Sequence, residues 1–212
     1  MPGHDTAPTR QHGGLPDKRR AIMRGALSVF ARDGYTRASI DAISVEAGVS
    51  TRTIYKHFAD KAQLFQAVIQ ESATRAAKAQ IAIIDRHLNK IIDIEKDLIE
   101  FGVDFAVPPA GYAEHFALVR QINAEAGHIS PAAIDAWLET GPLRVRQELA
   151  QRLQQIQDRG LLHIENPARA AVHLMNLVSV VNPSHHGSIP PEEEIVDIVT
   201  AGVRVFLYGY LK

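Results

Sequence analysis

Residues 39–65, SIDAISVEAGVSTRTIYKHFADKAQLF, leave few folds open: two short amphipathic segments meet at a glycine, and a third helix follows at once. Ile40, Ile43 and Ala47 recur at three- and four-residue intervals, the period of one buried helical stripe. Gly48 comes next, where the chain must leave that helix with a positive φ, which glycine adopts without steric cost. Val49 fills the corner. Ser50 is the predicted cap of the following helix, its hydroxyl meeting backbone donors that a helix start leaves open. In that helix only Ile54 and Phe58 fall at core spacing. Ser50, Thr51, Arg52, Thr53, Tyr55, Lys56 and His57 are left to face outward, a set of hydroxyls, cations and an aromatic that suits a DNA major groove and its phosphates. Arg52 is the expected base-reading residue, because a guanidinium can bond guanine through two donors.

With their neighbours these residues resemble the DNA-binding module of the tetracycline-repressor (TetR) family of bacterial transcription regulators. The shared pattern is Gly34-Tyr35, a cap at Ser39, Ile43, then Ala47-Gly48-Val49-Ser50, Tyr55-Lys56-His57-Phe58, Lys61 and Leu64-Phe65. It covers residues 18–66. One departure is Ser44, in a place the family usually gives to alanine, and serine is nearly as small. The resemblance implies that Ser39, Tyr55, His57 and Lys61 hold the DNA backbone. Asp60 is placed to cap the helix that Lys61 opens, where backbone donors and a cation meet a phosphate.

Ahead of this element a helix is predicted from Asp17 or Lys18 to Arg32, ending at Gly34, with Ile22, Ala26, Leu27 and Phe30 as its buried stripe. Its opening cations, Lys18, Arg19 and Arg20, suit either phosphate or solvent. Residues 1–17, rich in Gly, Pro, His and Thr and lacking an apolar signal core, read as a flexible arm, and the expected location is the cytoplasm. Charge sorts along the same line. Residues 1–80 hold 12 Lys or Arg against 7 Asp or Glu, and residues 81–212 hold 11 against 17, so a formal charge of −1 conceals a basic half and an acidic half. Phosphate neutralisation supplies most non-specific DNA affinity, so the half with the motif is the half turned to the duplex.

No Pro or Gly interrupts residues 61–88, which predicts one long helix tying the module to the rest of the chain. Further helices are predicted from Lys90 to Val107, from Tyr112 to Ala126, from Pro131 to the Gly141-Pro142 break, and from Leu143 to Asp158. Asn166 and Pro167 then supply a cap and a first helical residue. Strand-like alternation of useful length is lacking. The expected fold is all-α: an N-terminal three-helix helix-turn-helix module at 18–66, joined by the long helix to a helical ligand-binding and dimerisation domain at 67–212. Phe116 to Asn182 also looks like the C-terminal regulatory domain of some TetR-family members.

Two late runs, Ala171–Val181 and Ile198–Leu211, are apolar on most of their circumference and need cover on two sides. The domain supplies one side and a second copy the other, so the expected homodimer contacts are Val172, Met175, Ile195, Val199, Gly202 and Phe206. Neither run reaches the roughly 20 residues of a membrane span, and no membrane partner is expected.

The resemblance also implies a small-molecule effector held between the C-terminal helices. Phe101, Phe105, Phe116 and Trp137 are the expected apolar walls, with Asn123, His173 and Asn176 as isolated polar groups that orient it; the same residues suit an ordinary core. Catalytic chemistry finds no footing. Cys is absent, and the ten histidines form no HExxH or comparable ligand spacing, His185-His186 included, so neither a metal nor another cofactor is expected. The function read from the sequence is a homodimeric repressor of a palindromic operator on double-stranded DNA, released by an effector. A helical binding or assembly protein without DNA-regulatory activity is the alternative, which a gel shift separates.

Overall fold

The computed structural model describes residues 15–180 and 189–210. Among the described residues there are ten α-helices, one 3-10 turn and no strand. The DNA-side helices are α1 (Leu15–Arg37), α2 (Ile40–Ala47) and α3 (Thr51–His57), followed by the long α4 (Lys61–Leu88). The body adds α5 (Ile94–Ala106), α6 (Ala113–Ala124), α7 (Pro131–Thr140), α8 (Pro142–Asp158), α9 (Pro167–Leu177) and α10 (Glu192–Tyr210), with the 3-10 turn Ala126–His128 between α6 and α7. Expectations for residues 1–14, Val181, the His185-His186 loop and Leu211 lie outside the described residues.

The capped, uninterrupted α4 organises everything else. Asp60 accepts the Gln63 N–H at 2.8 Å, and at 1.5 Å per residue the helix reaches about 42 Å, enough to traverse two cores. Its first half puts Leu64, Phe65, Val68 and Ile69 into a core with Ile22, Met23, Ala26, Val29 and Phe30 of α1, Ile43 and Ile54. Its second half puts Ala77, Ile83, Ile84 and Leu88 against Leu98 and Phe101 of α5, Leu149 and Leu153 of α8, Leu174 of α9 and Val199, Val203 and Phe206 of α10. Each fully buried Leu, Ile or Phe contributes about 1.5–3 kcal/mol relative to exposure, so both cores are substantial.

The expected division at residue 66 is not a packing boundary. Leu118 and Ile122 of α6 and Trp137 of α7 belong to the first core, with the DNA-side helices. In sequence they sit within the second half of the chain, and nothing in their spacing tells which core they join.

Several expected details change. On α1, Met23 and Val29 are buried and Leu27 is only partly so; on α2, Ile40 and Ala47 are partly exposed beside fully buried Ile43. α2 rests on α1 at a glycine: a Cβ on Gly25 would stand 2.8 Å from the Ala47 nitrogen. α5 begins at Ile94 and not at Lys90. There the Asp93 carboxylate caps Lys96 N–H at 3.1 Å, while Asp97 turns back to accept the N–H groups of Ile92 (2.7 Å) and Asp93 (3.1 Å). α6 ends at Ala124, two residues early, because the chain tightens into the 3-10 turn.

Candidate nucleic-acid interface

The turn between α2 and α3 is built from caps. Ser39 Oγ accepts the Ala42 N–H at 3.1 Å and opens α2. Gly48, at φ 64°, ends it: its N–H reaches the Val45 carbonyl at 3.1 Å, and the Val49 N–H reaches Ser44 at 3.0 Å. A Cβ there would meet nothing within 4 Å, so the left-handed backbone alone calls for glycine. Ser50 Oγ accepts the Thr53 N–H at 3.2 Å and lies 2.9 Å from Thr53 Oγ1. Ser44 is buried, its hydroxyl donating to the Asp41 carbonyl at 2.8 Å.

With Ile54 and Phe58 buried, α3 turns Arg52, Tyr55 and Lys56 to the outside; Tyr55 is 56% exposed. Thr51, Thr53 and His57 are partly exposed. No described residue bonds Arg52 or Lys56, and α3 contains no acidic residue. A short helix thus presents, on one exposed surface, a phenol and two cations that have no partner among the described residues, with its cap and core residues turned away. Such a surface offers donors to phosphate oxygens and a fork-shaped guanidinium to base edges.

Three of the residues read as facing DNA or solvent make or turn toward contacts inside the module. Lys61 Nζ donates to the carbonyls of Tyr35 (2.9 Å), Ala38 (3.1 Å) and Thr36 (3.4 Å), which engages all three of its protons, and it stands 4.7 Å from the centre of the Tyr35 ring. The break of α1 at Gly34 leaves those carbonyls open, and Lys61, the first residue of α4, closes them and so ties the module together. His57 turns Nε2 inward, where it has no partner. Arg19 lays its guanidinium over the Phe58 ring at 5.4 Å, tying the start of α1 to the end of α3.

Residues 22–68 match the family model for bacterial regulatory proteins of the tetR family, and residues 109–212 match that of the AefR-like transcriptional repressor C-terminal domain. This chain belongs to the TetR family. The AcnR transcriptional repressor of Corynebacterium diphtheriae is 31% identical over 85 residues, covering 40% of this chain and 42% of that protein. The BetI transcriptional regulator of Klebsiella pneumoniae is 27% identical over 150 residues, 71% of this chain and 67% of that one. The chain thus spans less than half of the first relative and about two thirds of the second. A solved structure described as a TetR-family transcriptional regulator from Mesorhizobium loti superposes with a TM-score of 0.83 at 27% identity, over 95% of this chain and 100% of that one. Members of the family are DNA-binding transcriptional regulators, usually repressors, that dimerise and bind small-molecule effectors.

In this TetR-family chain the seven expected effector residues do not converge. Phe101 is fully buried in the second core, with the Phe105 ring 5.1 Å away. Trp137 is buried in the first core, its Nε1 without a partner, and Phe116 lies edge-on to His115 at 5.1 Å. Asn123, His173 and Asn176 are exposed, a correction to their reading as polar groups stranded inside; His173 Nδ1 instead meets the Tyr210 hydroxyl at 2.7 Å. Helix amphipathicity explains the error, since a polar residue in an apolar run occupies the outer face. A cleft of about 420 Å³ is lined by Val103, Asp104, Val107, Pro108, Pro109, Glu192 and Ile195.

Four of the six expected dimer residues need a similar correction. Ile195, Val199, Gly202 and Phe206 are buried within the protein's own second core, and a Cβ on Gly202 would run into the Leu177 carbonyl. Val172 and Met175 are half-buried. The outer face of α10 carries Ala201, Val205 and Tyr208 at i, i+4 and i+7, with Tyr208 94% exposed and Val205 61%. An all-round apolar helix shows both faces in sequence, without saying which one its own domain takes.

One partly buried polar pair was missed. Ser72 Oγ of α4 lies 2.9 Å from His115 Nδ1 of α6. Burial, assisted by nearby Arg75, pushes the His115 pKa down to about 4, so the imidazole is neutral at physiological pH. Among the described residues no helix is long and apolar enough to cross a membrane.

Proposed function

We propose that this chain is a cytoplasmic, homodimeric repressor that reads a palindromic operator through α3 and leaves it when a small molecule binds the body. The observation that carries the DNA reading is the exposed surface of Arg52, Tyr55 and Lys56, without partners among the described residues, on a helix fixed by the Ser50 cap and the Gly48 turn. Dimerisation is supported by the apolar outer face of α10, where Val205 and Tyr208 have no cover from the chain's own core. Repression is supported by the repressor C-terminal domain matched over residues 109–212. For the effector, the support is the family's habit together with the cleft beside Val103, on the same helix as Phe101 and Phe105, and Val107, which follows that helix.

The test is selection of duplexes by the purified protein from a randomised pool, followed by footprinting. A palindrome whose half-sites lie about 34–36 Å apart, or a multiple of that, is the expected product. Affinity should fall steeply with added salt. Absence of any enriched sequence sinks the repressor reading in favour of a helical assembly protein.

A further inference from the structure

The strongest unused feature of the molecule is a carboxylate gripping the bend between α1 and α2 from 89 residues away. Gly34 breaks α1 with φ 80° and ψ 174°, which frees the next N–H groups from helical acceptors. Glu125, at the C-cap of α6, supplies the acceptor. Its Oε2 takes the Thr36 N–H at 2.9 Å and its Oε1 takes the Thr36 hydroxyl at 2.8 Å. Gly34 is also the residue that makes room, because a Cβ there would stand 2.5 Å from Glu125 Oε1 and 3.0 Å from Gln121 Oε1. Burial opposes ionisation of this carboxyl, yet the Thr36 N–H and hydroxyl, the Tyr35 N–H and Arg37 together hold it below the usual carboxylate range.

The same short segment is held from its other side. Its carbonyls at Tyr35, Thr36 and Ala38 accept from Lys61 of α4, and Ser39, the next residue, caps α2. The Thr36 N–H is therefore bonded to the body, while the carbonyls of Tyr35, Thr36 and Ala38 are bonded to α4, immediately upstream of the reading element. Leu118 and Ile122 of α6 already pack against the α1 side of the first core. Apolar packing is non-directional and lets two helices slide, whereas paired hydrogen bonds fix one register.

We propose that Glu125 is a positioning residue for DNA binding: by bonding Thr36 it locks the reading module to α6, so that the half-site spacing a dimer accepts is set at this contact. The proposal rests on the homodimeric operator reading above and adds where its geometry is fixed. Glu125 itself touches no DNA.

The experiment uses the full-length chain, unmodified and as Glu125→Gln, Thr36→Val and the double variant. The probe is the duplex that the unmodified protein selects, together with versions carrying one base pair more or fewer between half-sites. The unmodified protein discriminates against the altered spacings. In each variant that discrimination falls by roughly tenfold, the factor expected from one charge-assisted contact, and the double variant goes no further than the singles. A variant that melts earlier but keeps the full spacing penalty has lost only a structural bond, and that outcome overturns the proposal.

A second measurement needs no DNA, so it stands if the operator reading fails. The chain has no cysteine, so Val45→Cys on α2 and Gln147→Cys on α8, both exposed, take spin labels uniquely. With labelled protein diluted in unlabelled, Glu125→Gln should broaden a narrow module-to-body distance distribution. An unchanged distribution overturns the lock.

Discussion

Lys61 and Tyr35 meet twice: Lys61 Nζ donates to the Tyr35 carbonyl at 2.9 Å and stands 4.7 Å from the centre of the Tyr35 ring. Removing the charge while keeping the stem, as in Lys61→Met, leaves three carbonyls at the α1 break with less than their full complement of donors. The expected cost is about 1–3 kcal/mol from the carbonyls, with a further contribution of about 0.5–1 kcal/mol from the ring contact. Thermal melting should show the loss as a lower Tm, and the salt slope of DNA binding should stay as it was. An unchanged Tm with a slope shallower by about one phosphate would return Lys61 to the DNA backbone.

Arg52 is exposed on α3 with no bond from a described residue, so its loss costs the fold nothing that the structure shows. Arg52→Ala should therefore melt like the unmodified protein. On DNA it should relax preference at one base position per half-site, at about 1–3 kcal/mol. Repeating the duplex selection with the variant checks this. If the selected sequence keeps every position as sharp as before, α3 reads bases through other side chains.

The DNA element was legible in sequence because its signals are local. Ser39, Gly48, Ser50 and Asp60 act within three or four residues of themselves, and each cap and turn forms at the position that its residue type suggests. The helices of the body were legible for the same reason, with Pro131, Pro142 and Pro167 each at the first position of a helix. What sequence could not supply were choices between faces and between distant partners. Ile195, Val199 and Phe206 on one side of α10, and Val205 and Tyr208 on the other, are equally apolar, and only packing tells which side the chain keeps for itself. Glu125 and Thr36 are 89 residues apart, and neither residue type marks the other. Gly25 gave a faint signal, an isolated glycine inside a helix, whose reason is the close approach of α2.

His115 gives the stability of this protein a pH dependence with a definite sign. Burial in the folded protein holds its pKa near 4, against about 6.5 in an unfolded chain. Between those values the unfolded state takes up a proton that the folded state refuses. The contribution is therefore complete above about pH 6.5 and is lost progressively as pH falls toward 4. In melts at pH 7.5 and pH 5, His115→Gln should lose less Tm on acidification than the unmodified protein does. Equal losses in the two proteins would show that the imidazole is free to protonate in the fold.

The two faces of α10 separate folding from association. Val199 is fully buried and packs against Gly102, where an added Cβ would touch its side chain, so a charge at Val199 enters the second core unpaired. Val199→Glu should unfold the body, in line with the several kcal/mol that an unpaired buried charge costs. Val205 and Tyr208 point away from that core, and charges there meet only solvent in the single chain. The pair Val205→Glu with Tyr208→Glu should keep its helical circular dichroism and melt cooperatively, while light scattering reports a monomer. Loss of the dimer also removes the second reading helix, so operator binding should collapse to the weak, salt-sensitive affinity of one module. A double variant that remains dimeric would place the interface on another face of the body, away from the outer surface of α10.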